Sequence, residues 1–179
     1  MSDFDIPDDL RGLNRETDRL WREEMAIRES DAELSRTKER GLPDVAWEAM
    51  QRGDEVAFHA GTCSFRGHLT AVRNDFAMLT TGSATVGINL RAVDAVQCIP
   101  SRTTEGRIGD RTFGSLHAYL THLEADERTV RFVTGAGTTD ITGRLRAVAD
   151  DHVLVFDSRG AAWALSRRSI AFVQDLSGS

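Results

Sequence analysis

Residues 53–96, GDEVAFHAGTCSFRGHLTAVRNDFAMLTTGSATVGINLRAVDAV, decide how this chain is read. Phe65, Gly67, Leu69 and Ala71 alternate with Arg66, His68 and Thr70, and a period of two puts the first set on one buried face. Asn74-Asp75 closes the strand, because short polar side chains suit a tight turn. The spacing predicts five short strands at 55–60, 63–72, 75–80, 84–90 and 93–98.

A related pattern returns at 127–173. At an offset of 76, Gly67 falls on Gly143, Leu69 on Leu145, Ala71-Val72 on Ala147-Val148 and Asp75 on Asp151. One further residue makes the offset 77, and then Val86 meets Trp163, Ile88 meets Leu165, Val93 meets Ile170 and Val96 meets Val173. The length changes fall in presumed loops, where insertions are tolerated. Strands are therefore expected at 129–134, 139–149, 152–156, 161–166 and 169–174. Short helices precede both sets, at 44–51 and at about 112–124, the second with Phe113, Leu116, Leu120 and Leu123 on one face. The expected domains are an acidic lead and N-terminal helix (1–43), a first small β-barrel with its leading helix (44–100), a polar linker (101–111) and a second such barrel (112–179).

Charge is unevenly spread along the 179 residues. Residues 1–50 hold fourteen acids and eight bases, which accounts for the net charge of −6. Residues 51–179 are balanced, without the basic surplus of a strong non-specific nucleic-acid binder. The acidic first residues, MSDFDIPDDL, lack a signal-peptide core, and no apolar run is long enough for a bilayer. A cytoplasmic protein without a membrane partner is expected. Cys63 and Cys98 fall on inward faces and read as reduced thiols.

From Asn14 to about Arg40 the composition is helical, with a thin stripe of Leu13, Leu20, Trp21 and Met25. Gly41 and Pro43 stop this helix. Leu20, Trp21, Met25 and Trp47 are the candidate interaction residues.

A helix followed by five strands, with a long bent second strand, resembles the Sm-like fold. Residues 65–79, FRGHLTAVRNDFAML, and 141–155, ITGRLRAVADDHVLV, look like the first Sm motif. Residues 86–96 and 163–173 resemble the second in hydrophobic spacing. The resemblance implies a mainly β chain of two tandem five-stranded Sm-like or SH3-like barrels, with edge-to-edge assembly. Departures bear on ligand chemistry. Arg73 and Ala149 stand where the family has an aspartate, and Ala77 and Val153 where it has an RNA-contacting asparagine. Neither Arg91 nor Arg167-Arg168 is followed by the family's glycine.

Enzyme chemistry needs a clustered acid, base, nucleophile or metal set. His59, His68, His117, His122 and His152 are scattered, and the glycines form no phosphate loop. No catalytic residue, metal ligand or cofactor is assigned. The reading is a non-enzymatic protein-interaction or assembly module of duplicated Sm-like barrels, with a protein partner or self-association. The alternative is an RNA- or DNA-binding Sm-like protein using outward arginines. Its candidates are Arg66, His68, Arg73, Arg91, Arg144, Arg146, Arg167 and Arg168. Phe76, Phe172 and Trp163 are expected at the join between the barrels.

Overall fold

The computed structural model describes residues 19, 21–30, 39–82, 84–100, 113–136 and 139–176. Two compact units result, Met1–Arg40 and Gly41–Ser179. In the first, residues 21–30 are helical (α1), with Trp21, Met25 and Ile27 exposed. Leu20 and the 101–111 linker lie outside the described residues. Among the described residues, no helix is long and apolar enough to cross a membrane.

The second unit runs α2 (Leu42–Arg52), β1 (Glu55–Ala60), β2 (Cys63–Val72), β3 (Phe76–Thr81), β4 (Ala84–Asn89), β5 (Ala95–Ile99), α3 (Leu116–Ala125), β6 (Thr129–Thr134), β7 (Asp140–Val148), β8 (His152–Asp157), β9 (Ala162–Ser166) and β10 (Ile170–Asp175). Local chemistry sets the helix ends. Gly41 N–H donates to Asp44 Oδ2 at 2.9 Å, Pro43 enters the first turn, and Gly53 ends α2 at a φ of 70°. Ser115 Oγ accepts from Ala118 N at 3.2 Å, capping α3.

All ten strands belong to one antiparallel sheet in the order β5-β1-β2-β3-β4-β10-β6-β7-β8-β9. This corrects the expectation of tandem Sm-like barrels. The sheet is continuous and open at both ends, so there are not two separate closed five-stranded units. The cause is a choice of partner. β4 does not close on its own run of strands but pairs with β10, through Phe172↔Ile88, Val173↔Gly87 and Gln174↔Val86. The tandem duplication of barrels falls with this pairing. So do the assembly module built from such barrels and the Sm-like nucleic-acid alternative that used their outward faces. The two runs share strand order and a bulge in the second strand, between Leu69/Ala71 and between Leu145/Ala147, but they share them inside one sheet.

The sheet curls. Phe65 of β2 and Phe172 of β10 stand three strands apart in sheet order, yet their rings are 5.0 Å apart and edge-on. Arg131 of β6 lies over the same Phe65 ring, 5.8 Å from its centroid. Gly67 and Gly143 admit this curvature, since a Cβ at either would strike the carbonyl of Thr80 or Phe156.

Two apolar clusters fill the concavities, and each borrows from the other run. Phe172 and Val133 complete the cluster of α2 and β1–β4. Phe76 of β3 joins α3 and β6–β10 instead. Each buried aromatic contributes about 1.5–3 kcal/mol of transfer free energy, so the two crossings resist separation of the runs. Phe76 and Phe172 thus flank the β4–β10 seam, while Trp163 sits half-exposed on the edge strand β9, away from that join. Cys63 and Cys98 are free thiols packed against the first cluster, and burial pushes the Cys98 thiol up.

Tyr119 of α3 closes the seam over Gly87, where a Cβ would lie 2.5 Å from the ring. Replacing Gly87 by alanine should cost about 1–3 kcal/mol through overpacking, measured as a lower midpoint in urea. Among the described residues the buried Tyr119 hydroxyl has no hydrogen-bond partner, and its burial raises its pKa. Tyr119→Phe should therefore not lower the midpoint, and should raise stability by up to about 1 kcal/mol.

Candidate functional site

The arginines named from sequence separate into three environments. On β2, Arg66 donates to Glu55 at 2.5 Å, and Glu55 pairs across the strand with His68. The Arg66 guanidinium holds the Glu55 carboxyl below its ordinary range. On β7, Arg144 and Arg146 both reach Glu127, at 3.5 and 3.7 Å. They line a groove of about 640 Å³ with the exposed ring of Phe156. Arg73 is turned back on its own chain, donating to Val72 O at 2.9 Å. β2 and β7 are five strand spacings apart, about 24 Å along the sheet, so their outward arginines form no continuous stripe.

Arg91, Arg167 and Arg168 differ. The seam brings the β4–β5 turn against the β9–β10 turn, and all three arginines line one cleft of about 370 Å³. Asp75, Asn89, Ser115, Leu116 and His117 complete its walls. Only one of these residues, Asp75, is a carboxylate. Arg91 and Arg168 are exposed, and neither makes an ion pair among the described residues.

Asn89 organises this place from within. It is 6% exposed, and its Nδ2 donates to Ile170 O at 2.9 Å and to Arg167 O at 3.4 Å. Its Oδ1 accepts from Arg91 N at 3.1 Å. One amide therefore ties the backbones of Arg91 and Arg167 together across 76 residues of chain. Arg167 Nη1 is fixed by donating to His117 Nδ1 at 2.5 Å and to Ala149 O at 3.4 Å. That bond requires the neutral imidazole with its proton on Nε2. Ser115 and His117 also bring the N-terminal turn of α3, with its partial positive charge, to the cleft wall.

Beyond Arg168 lies a more open recess lined by Asp151, His152, Ala164 and Ser166. The His152 ring 2.6 Å away holds the Asp151 carboxyl below its usual range. Trp163 Nε1 and backbone amides do the same for Asp157. Among the described residues, no three histidines, cysteines or acids gather as metal ligands.

Of the interaction candidates, Trp21 and Met25 lie exposed on α1 and Trp47 exposed on α2. Sequence reasoning did not single out Asn89, Ser115 or His117 for the cleft. An asparagine ending a strand two residues before an arginine, and a serine-capped helix start, were the local signals present. No protein-family model matches the chain, and no curated protein matches it in sequence.

Replacing Asn89 by alanine removes the side-chain donor to the Ile170 carbonyl and the acceptor of the Arg91 amide in the seam. The expected loss is about 1–3 kcal/mol in urea unfolding, with the Arg91 and Arg167 amides exchanging faster with solvent in NMR.

Proposed function

We propose that the chain is a non-catalytic binding protein that holds a phosphate-bearing ligand in the Arg91–Arg167–Arg168 cleft. The observation that carries this reading is that three arginines, from turns 76 residues apart, line one cleft whose walls hold one carboxylate. Guanidinium groups match phosphate oxygens in bidentate geometry and stay charged at any physiological pH. The α3 N-terminus adds a favourable dipole. The other outward arginines are less suited, because Glu55 already pairs with Arg66 and Glu127 is shared between Arg144 and Arg146.

The ligand phosphate can belong to a free nucleotide or to a single-stranded nucleic-acid backbone. Among the described residues the cleft's one exposed ring is that of His117, whose Nδ1 already accepts from Arg167, so the proposal extends to the phosphate and not to base identity. The reading places the protein in the cytoplasm, where Cys63 and Cys98 stay reduced.

Fluorescence anisotropy with labelled single-stranded RNA and DNA, competed by a mononucleotide and by inorganic phosphate, tests this. Saturable binding is expected, with log K falling by about 2 per tenfold rise in salt for two to three neutralised phosphates. The R91A/R167A/R168A variant should bind at least about tenfold more weakly, since each charge-assisted bond is worth about 1.5–3 kcal/mol. Arg66→Ala should bind as the parent does. The absence of saturable binding for every probe at low salt overturns the proposal, as does unchanged binding by the triple variant.

A further inference from the structure

The two ends of the sheet are unusual for open edges. β5 reads AVQCI and β9 reads AWALS, so neither contains a charged residue or a proline. Among the described residues, neither outer edge carries a further strand. Exposed edges are normally blunted by charge, proline or bulges, because their free N–H and C=O groups recruit other chains. These two have none of those protections within the strand.

The backbone of β9 is set up to receive a partner. Asp157 N donates to Ala161 O at 3.0 Å, and Arg167 N donates to Asp151 O at 2.8 Å. In an antiparallel ladder bonded pairs alternate, so Trp163 and Leu165 face β8 with their amides. Ala162, Ala164 and Ser166 then turn theirs to the open side.

The molecule already contains the pairing these edges would make. In sheet order the chain reads β5-β1-β2-β3-β4 and then β10-β6-β7-β8-β9. The seam joins the fourth strand of one run to the fifth of the other. The strands left over at the ends are the fifth, β5, and the fourth, β9. Ala164 lies opposite Leu154 as Gly87 lies opposite Met78. Val96 lies opposite Phe58 as Val173 lies opposite Phe132. Since Val173 pairs with Gly87 across the seam, the corresponding pair between molecules is Val96 with Ala164.

We infer that β9 of one molecule pairs antiparallel with β5 of a second copy, in the register Val96↔Ala164. The junction carries the β4–β5 turn of the second copy to the recess beside β9. Arg91 of that copy then joins Asp151, Ser166 and Arg168, completing a second cationic cleft that one chain forms only in part. The interface is head to tail, so copies close into a ring where the curl permits and otherwise extend in series. None of this depends on what the cleft binds.

Light scattering on the full chain at rising concentration tests the inference, with Ala164→Pro as the disrupting variant. Proline there removes an outward N–H and leaves the bonds to β8 in place. The parent should scatter as multiples of the 19.8 kDa chain, and A164P should scatter as a monomer with unchanged circular dichroism. A parent that stays monomeric at every concentration overturns the inference, as does a folded A164P that assembles like the parent. Should A164P fail to fold, hydrogen exchange on the parent decides. Protected Ala164 and Ser166 amides support the pairing, and freely exchanging ones refute it.

Discussion

The short ladder between β4 and β10 is the constraint on which the rest of the second unit depends. Three residue pairs make it, and alone they would be weak. They hold because side chains cross them. Phe172 and Val133 pack with the first five strands, Phe76 packs under α3, and Phe65 meets Phe172 edge-on beneath Arg131. Pulling the runs apart would expose aromatic surface on both sides. Backbone pairing thus fixes the direction of the seam and the crossed aromatics give it strength.

The same seam makes the cleft. Arg91 follows β4 and Arg167 precedes β10, so their approach is a result of strand pairing and not of chain proximity. Asn89 converts that approach into a fixed distance by bonding to both turns. A ligand in the cleft would therefore report on the seam, and strain in the seam would be felt at the cleft.

The strands were legible from sequence because hydrophobic alternation and turn residues are local signals. β1, β2 and β6 have the expected bounds, and the other strands differ by one or two residues at one end or at both. The partners of β4 and β10 were not legible. Alternation says which face of a strand is buried, whereas ladder hydrogen bonds are nearly blind to side-chain identity. A five-strand run with an uncharged edge reads alike whether it closes on itself or adds to a neighbour. For the same reason Arg91, Arg167 and Arg168 were visible as cations but not as a group. His117 and Ser115 carried no sign of the turn they would meet, since only α3 packing beside β4 brings them there.

The Gly87–Tyr119 approach has a meaning for specificity. Side chains on β4 alternate, so sliding β10 and everything attached to it by two residues would keep every apolar residue on its proper face. Hydrophobic pattern alone offers no objection to that displaced arrangement. Tyr119 does: two positions along, its ring would meet Thr85 or Asn89 where it now finds bare backbone. A glycine that adds nothing to the core is thus the notch that admits one alignment of the halves and excludes its neighbours.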